Sequence, residues 1–124
     1  MNKDNIKQRI LQNAVELFCA GGFNGTSIRD IAKAADCSLP MLYYYYANKQ
    51  ALYKEIITVE MQKIHEKLNS GIPHHLRGAD VYKFYCNQRL NLSDYDRAVY
   101  ALSYKAHLRF EGDGEIWNHI DSWL

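Results

Sequence analysis

The sequence predicts an all-α protein, and three observations support this prediction. Apolar residues recur at helical spacing along most of the chain, strand-type alternation is absent, and side chains that cap helices stand directly before the apolar runs. The 124 residues are enough for one hydrophobic core. We expect a three-helix domain with a helix-turn-helix in residues 1–47, and a long connector helix with further helices in residues 48–124.

The first helix is expected over residues 4–20. Its inward stripe consists of apolar residues about one turn apart, namely Ile6, Ile10, Ala14 and Leu17 with Phe18. Gly21 and Gly22 end the helix, because glycine readily leaves the helical conformation. Phe23 and the Asn24-Gly25 turn then reverse the chain.

The second helix begins after Thr26 or Ser27, either of which can cap it through its hydroxyl group. Its apolar face follows the i, i+3, i+4, i+7 pattern with Ile28, Ile31, Ala32 and Ala35. Arg29, Asp30 and Lys33 occupy the opposite face. The segment therefore predicts a short amphipathic helix.

A tight turn and a third helix follow. Asp36 can adopt the left-handed conformation that such a turn requires, and Ser38 caps the next helix. Pro40 suits the first helical turn, where its missing N–H has no cost. This helix ends near Tyr45 or Tyr46, before Asn48 offers another cap. Two helices of about two turns each, joined by about three residues, have the dimensions of a helix-turn-helix.

In a helix-turn-helix the second helix enters the major groove of DNA with its N-terminal residues against base edges. Leu39, Pro40 and Met41 occupy that leading turn, and apolar contact with thymine methyl groups is the main direct readout open to them. We expect Leu42 and Tyr46 to pack inward, with Tyr44 as a further core candidate. Tyr43 and Tyr45 then face outward. The candidate DNA-binding residues are Thr26, Ser27, Arg29, Ser38, Leu39, Pro40, Met41, Tyr43, Tyr45 and Lys49.

The rest of the chain predicts further helices. The connector helix runs from Asn48 to about Ser70-Gly71, with an inward stripe of Leu52, Ile56, Val59, Ile64 and Leu68. Residues 74–78 form a loop. A helix over residues 79–92 presents Tyr82, Phe84 and Tyr85, and Ser93 opens the next one, whose stripe is Val99, Leu102, Ala106 and Phe110. Residues 111–114 break that helix before a last amphipathic segment with Ile116, Trp117, Ile120 and Leu124.

Charge and composition narrow the function classes. Residues 1–54 carry 7 Lys and Arg against 4 Asp and Glu, whereas residues 55–124 carry 8 against 10. Basic side chains are thus mildly concentrated around the helix-turn-helix, as DNA binding requires. The three cysteines lack paired spacing, which predicts a reducing compartment and no disulfide. We expect no signal peptide, no membrane span and no cofactor.

The chain resembles the DNA-binding domain of tetracycline-repressor (TetR) family regulators over roughly residues 5–56. The resemblance lies in Thr-Ser-Ile-Arg-Asp-Ile-Ala-x-x-Ala, a three-residue turn, and Ser-x-x-x-Leu-Tyr-Tyr-x-Tyr-x-Asn-Lys-x-x-Leu, preceded by Gly-Gly-Phe-x-Gly-Thr. It implies a cytoplasmic, nucleoid-associated bacterial homodimer that binds a palindromic DNA operator, usually as a repressor. It also implies release by a small hydrophobic or aromatic effector bound in the C-terminal part.

The sequence departs from this family at three points. Asp36 stands where the turn usually has glycine, and the leading turn carries apolar Leu39 and Met41. The regulatory part is also shorter than in most members, since two further long helices usually form the dimer interface. Either the chain is a partial product, or it dimerises through the helices that remain.

Several alternatives stay open. Tyr82, Tyr85, Tyr100, Tyr104, His107 and Phe110 either line an effector pocket or belong to the core or an interface. The apolar leading turn also fits a helical protein–protein interaction module that no longer reads DNA. A hydrolase lacks support, because no nucleophile motif is present. His74 and His75 lack a third ligand at helical spacing, so we expect no metal site. We expect Cys37 to act as a small apolar side chain.

Overall fold

The computed structural model describes the backbone of residues 3–109 and the side chains of residues 5–106. This part of the chain is helical and contains no strand, which confirms the predicted all-α class. The elements are α1 (Lys3–Gly21), α2 (Ile28–Ala34), α3 (Leu39–Tyr45), α4 (Lys49–Glu55), a π-helical segment (Ile56–Glu60), α5 (Met61–Asn69), α6 (Ala79–Leu90) and α7 (Asp94–Arg109).

Helix α1 lies at the centre of the molecule. Its inward side chains are Ile10, Leu11, Ala14, Val15 and Phe18, all buried, while Ile6 and Leu17 pack at the edge of the core. The helix ends where the sequence predicts, since Gly22 adopts φ = 77° and its N–H donates to the Phe18 carbonyl at 2.9 Å. Helices α2, α4 and α7 pack against α1.

Three aromatic rings fix the first helix to the connector. Phe18 of α1 meets Tyr53 of α4 edge to face, with ring centroids 5.2 Å apart. Phe23, in the loop after α1, packs against the same tyrosine with centroids at 4.9 Å. Burying large rings from three segments at one point holds the loop before α2 in a defined position.

Helix α4, the π-helical segment and α5 follow one another without a break, as the predicted connector helix requires. The Met61 N–H donates to the Ile56 carbonyl, five residues earlier, and this wider turn rotates the following residues around the helix axis. Val59, which we expected in the inward stripe, is consequently 47 % exposed, whereas Ile57 and Glu60 are buried. The prediction for Val59 is wrong because it assumed a uniform helical period. The other predicted stripe residues, Leu52, Ile56, Ile64 and Leu68, are buried.

The last two described helices have very different environments. Helix α7 packs on α1, on the π-helical segment and on α5, and buries Val99, Leu102 and Ala106 as predicted. Helix α6 packs mainly on α5 and contains no buried residue. Phe110 and the predicted amphipathic segment with Ile116, Trp117, Ile120 and Leu124 lie outside the described residues.

The core extends across the predicted boundary between residues 47 and 48. Helix α1 and helix α7 share one cluster of buried side chains, and the Cys19 thiol of α1 donates to the Ala98 carbonyl of α7 at 3.4 Å. Any displacement of α7 therefore acts directly on α1, which in turn supports α2. The division into two domains stays a prediction.

Candidate nucleic-acid interface

The turn between α2 and α3 is held from the side by Arg9 of α1. Asp36 has φ = 52°, the left-handed conformation predicted for it. The Arg9 guanidinium donates to the carbonyls of Ala35 at 3.0 Å and Asp36 at 3.2 Å. Because Asp36 reverses the chain and Arg9 occupies the freed carbonyls, the angle between α2 and α3 is fixed by α1.

Each of the three short helices begins with the cap that the sequence predicts. Ser27 accepts from the Asp30 N–H while its own N–H donates to the Asp30 carboxylate, which forms a capping box. The Ser38 hydroxyl accepts from the Met41 N–H at 3.2 Å. Asn48 accepts from the N–H of Ala51 at 2.7 Å. The caps determine where each helix starts and therefore which residues form its leading turn.

Helix α3 has one buried face and one exposed face. Leu42 is fully buried, and Tyr46, the residue that ends the helix, is buried as well, so both predicted inward residues are confirmed. Leu39, expected in the base-reading turn, is half-buried and packs against the core. The exposed face consists of Pro40, Met41, Tyr43 and Tyr44.

Two of the four consecutive tyrosines differ from expectation. Tyr44, expected as a core candidate, is 68 % exposed, and Tyr45, expected to face outward, is half-buried against the core. Tyr45 lies three residues after buried Leu42 and so shares its side of the helix. The rings of Tyr44 and Tyr45 meet edge to face with centroids 5.1 Å apart. Tyr44 extends the exposed face of Pro40 and Met41, four and three residues earlier, and this helical spacing was the signal that could have identified it.

Lys49, at the first position of α4, ties this helix to the loop before α2. Its ammonium group donates to the carbonyls of Phe23 at 2.7 Å and Thr26 at 3.0 Å, and lies 4.2 Å from the centre of the Phe23 ring. An ammonium group has three N–H donors, so one is left for a phosphate oxygen. Lys49 therefore has a structural role in addition to the DNA contact we expected.

Thr26 has an internal role as well. The residue is only 4 % exposed, and its hydroxyl lies 2.9 Å from the Gly22 carbonyl and 3.1 Å from that of Leu17. It positions the loop instead of facing solvent. Ser27, Arg29 and Ser38 are exposed.

A cleft of about 460 Å³ separates the N-terminal ends of α2 and α4. Tyr43 lines it from α3, and Lys49 from α4. The remaining lining comes from residues 24–28 and from Asp30, Ala47 and Asn48. Helix N-termini carry partial positive charge, so two of them at one cleft favour an anionic backbone. Sequence reasoning identified both caps but not their convergence.

The described members of the predicted effector-pocket set differ in their environments, and the pocket stays a prediction. Tyr82 and Tyr104 are exposed, and Tyr85 is half-buried against the core. Tyr100 lines a cavity between α6 and α7. The side chains of His107 and Phe110 lie outside the described residues.

Burial disfavours the reactive thiolate form at two of the three cysteines. Cys19, Cys37 and Cys86 are free and half-buried. Burial raises the pKa of the Cys19 thiol, and it likewise raises the pKa of Cys37 above the ordinary value. Thiols with raised pKa values are poor nucleophiles near neutral pH.

The described part of the chain contains neither a group of metal ligands nor a membrane-crossing helix. Within residues 5–106, no three His, Cys, Asp or Glu side chains lie together as metal ligands would. None of the described helices combines the length and apolar character needed to cross a bilayer.

The caps, the tight turn and the exposed leading face of α3 define a helix-turn-helix domain of the kind that binds DNA. Residues 10–56 match the sequence model of the family described as bacterial regulatory proteins, tetR family. The N-terminal part of the chain therefore matches the tetR family, as the resemblance implied.

Curated relatives match the same region. Over 52 residues the chain is 36 % identical to the biofilm operon icaADBC HTH-type negative transcriptional regulator IcaR of Staphylococcus epidermidis, a match that covers 42 % of this chain and 28 % of IcaR. Over 63 residues it is 38 % identical to the HTH-type transcriptional regulator QacR of Staphylococcus aureus, covering 51 % of this chain and 34 % of QacR. The matched region thus spans about a third of these relatives or less.

Solved structures match more of the chain. The crystal structure of apo AibR superposes with a TM-score of 0.75 at 23 % identity, covering 91 % of this chain and 60 % of AibR. The fatty acid degradation regulator FadR from Bacillus halodurans gives a TM-score of 0.71 at 20 % identity, covering 93 % of this chain and 58 % of FadR. At these identities the likeness concerns the fold, and it extends beyond the helix-turn-helix into the following helices.

Proposed function

We propose that this chain is a DNA-binding transcriptional regulator that represses its target genes in the bacterial cytoplasm. In this proposal residues 1–47 bind DNA, and residues 48–124 contribute to dimerisation and effector binding. The observation that supports DNA binding best is the exposed face of α3, where Pro40, Met41, Tyr43 and Tyr44 project from a helix that Ser38 caps and whose preceding turn Arg9 holds.

The parts of this surface have different proposed roles. Pro40 and Met41 contact base edges through apolar surface, and thymine methyl groups are their natural partners. Tyr43 and Lys49 contact the phosphate backbone beside the cleft, together with Ser27, Ser38 and Arg29. Tyr45 is half-buried and contributes only its exposed edge to these contacts. Leu39, being half-buried, supports the leading turn and contributes its exposed edge, while Thr26 acts through the loop that it holds.

A homodimer is required for the proposed mode of binding. Two recognition helices that are related by a two-fold axis bind half-sites about one helical turn apart in a palindromic operator. A small-molecule effector that binds the DNA-free form more tightly shifts the dimer away from the operator. The names of IcaR and QacR, both HTH-type transcriptional regulators, agree with this proposal.

Fluorescence anisotropy with a labelled duplex from the region upstream of the chain's own gene tests the proposal. We expect the logarithm of the association constant to fall linearly with the logarithm of the salt concentration, because phosphate contacts release counterions. A scrambled duplex of equal composition is the control for specificity. Absence of salt-sensitive binding, or equal binding to both duplexes, contradicts the proposal.

The same face supports a second candidate function, a helical protein–protein interaction module. Met41 is 39 % exposed and Tyr43 46 %, and with Tyr44 they form an aromatic and apolar patch that a partner protein could cover. Met41→Ala separates the two candidates. For a DNA reader this substitution changes the preferred sequence, whereas for an interaction module it weakens partner binding and has no effect in the duplex assay.

A further inference from the structure

Helices α6 and α7 border an open surface cavity of about 550 Å³ that the DNA-binding role does not use. The apolar part of its lining consists of Leu90, Leu92, Ala101 and Tyr100, together with Cys86. Arg89 and Arg97 complete the lining. The volume lies within the range of about 300–1,000 Å³ in which proteins hold small molecules.

The two arginines have fixed positions. The Arg89 guanidinium lies over the Tyr100 ring, 4.6 Å from its centre. Arg97 donates one N–H to the Leu90 carbonyl at 2.6 Å, across the turn that joins the two helices. Both groups are therefore oriented before any ligand arrives, which reduces the entropy lost on binding.

Neither guanidinium group has a carboxylate partner among the described residues. The ion pairs of this part of the chain include Lys7 with Glu55, Lys63 with Glu60, and Lys67 with Asp96. A guanidinium carries five N–H donors, and Arg97 uses one of them on Leu90. Two guanidinium groups that lack a carboxylate partner within residues 5–106, beside apolar side chains, form a complementary surface for an apolar molecule with an anionic head.

We propose that this cavity binds a small organic carboxylate with a flat apolar body. The carboxylate accepts N–H bonds from Arg89 and Arg97, since the planar fork of a guanidinium matches carboxylate geometry. The apolar body lies against Leu92, Ala101 and the edge of Tyr100. The cavity is then the site at which the effector of the regulator binds, an assignment that rests on the proposed regulatory function.

Calorimetric titration of the full chain with 2-naphthoate and with its neutral isostere 2-naphthamide tests the site. Because charge-assisted hydrogen bonds form only with the acid, we expect 2-naphthoate to bind at least about tenfold more tightly than the amide. Arg97→Gln and Arg89→Gln each remove most of this difference. Far-UV circular dichroism checks that both variants remain folded.

Lys83→Gln is the matched control, because Lys83 is exposed on α6, lies outside the cavity and carries the same charge. We expect Lys83→Gln to leave both affinities unchanged. Equal binding of the acid and the amide overturns the proposal, as does a loss in Lys83→Gln that matches the arginine variants. The proposal is also overturned if 2-naphthoate binds only after Glu111, Asp113 and Glu115 are changed to glutamine. That result would mean that the arginines bind acidic side chains of this chain and not a small molecule.

The titration contains no DNA, so its outcome is independent of the duplex assay. If the chain binds 2-naphthoate but not the operator duplex, the proposed regulatory function is overturned and the carboxylate site stands. If it binds the duplex but not 2-naphthoate, the regulatory function stands and this effector site is overturned.

Discussion

The Tyr46 hydroxyl donates a hydrogen bond to the Glu55 carboxylate, which joins the end of α3 to the C-terminal end of α4. Tyr46 is the residue at which α3 ends, and its backbone is already extended there. Lys7 of α1 lies 3.5 Å from the same carboxylate. Three helices therefore meet at one charge, and the position of the proposed recognition helix depends on it.

Removing only the Tyr46 hydroxyl tests how much this contact stabilises the fold. We expect Tyr46→Phe to lower the free energy of unfolding by about 1.5–3 kcal/mol, the range for a hydrogen bond to a charged group. Urea titration followed by circular dichroism measures it. Tyr43→Phe is the control, because the Tyr43 side chain is exposed and its loss should stay within about 0.5 kcal/mol. Equal effects of the two substitutions would show that the Glu55 contact adds nothing.

The same contact predicts how stability depends on alkaline pH. Burial, and then the hydrogen bond to Glu55, raise the pKa of Tyr46 well above its ordinary value. Burial, followed by the Glu60 charge, raises the pKa of Tyr95 in the same way. Tyrosines in the unfolded chain lose their protons near pH 10, so above that pH the unfolded state is favoured progressively.

We therefore expect the contribution of Tyr46 and Tyr95 to the free energy of unfolding to be fully present below about pH 10 and to decline above it. Urea titrations at several pH values between 8 and 11 measure the decline. In Tyr46→Phe the free energy of unfolding should decline less steeply with pH than in the unsubstituted chain. The remaining decline is the contribution of Tyr95. A decline that is unchanged in this variant would assign the alkaline loss to other groups.

The helix-turn-helix could be predicted from the sequence because local signals determine it. Ser27, Ser38 and Asn48 cap their own helices, and Asp36 adopts the predicted left-handed conformation. The misassigned tyrosines show the limit of this approach. In a run of four identical residues the residue type carries no contrast, so the assignment depends on helical spacing from buried Leu42, which places Tyr45 inward and leaves Tyr44 outward.

The π-helical segment could not be predicted, because distant contacts accompany it. Glu60 is buried within this segment, where its carboxylate accepts from Lys63 at 3.0 Å and from the Tyr95 hydroxyl at 3.2 Å. Tyr95 lies 35 residues further along the chain. A buried carboxylate is tolerated only with such partners, and the helical period of the sequence does not reveal them.

Asp36 offers a direct test of backbone strain in the turn between α2 and α3. Residues with a Cβ atom are disfavoured at φ = 52°, whereas glycine is not. We expect Asp36→Gly to raise the free energy of unfolding by up to about 1 kcal/mol, and Asp36→Val to lower it by at least about 1 kcal/mol. Thermal unfolding compares the two variants. A gain with valine would mean that the turn relaxes out of the left-handed region.

Gly25 is constrained by space instead of conformation. A Cβ atom at this position would collide with the Gly21 carbonyl oxygen. We expect Gly25→Ala to cost about 1–3 kcal/mol of stability, as overpacking does, and to disturb the loop that Thr26 and Lys49 hold. Gly71→Ala is the comparison, since φ is 80° there but no atom lies within reach of a Cβ. If only Gly71→Ala proves costly, the close approach at Gly25 is not rigid.

Lys49 combines a structural tie with a proposed phosphate contact, and one substitution can separate the two roles. Lys49→Met keeps the length and the packing against Phe23 but removes the donors to two carbonyls. We expect the free energy of unfolding to fall by about 1.5–3 kcal/mol, DNA affinity to fall for all sequences alike, and the salt slope to decrease by about one.

Lys33→Met serves as the control for Lys49→Met. Lys33 is exposed at the end of α2, and its substitution removes the same charge. Its stability should change by less than about 0.5 kcal/mol, as is usual for surface substitutions. Urea titration and anisotropy on the same preparations give both quantities. A variant at Lys49 with unchanged stability but weaker DNA binding would show that the ammonium acts on phosphate alone. Lower stability with an unchanged salt slope would show that Lys49 only holds the loop, and that the backbone contacts come from Tyr43 and the helix N-termini beside it.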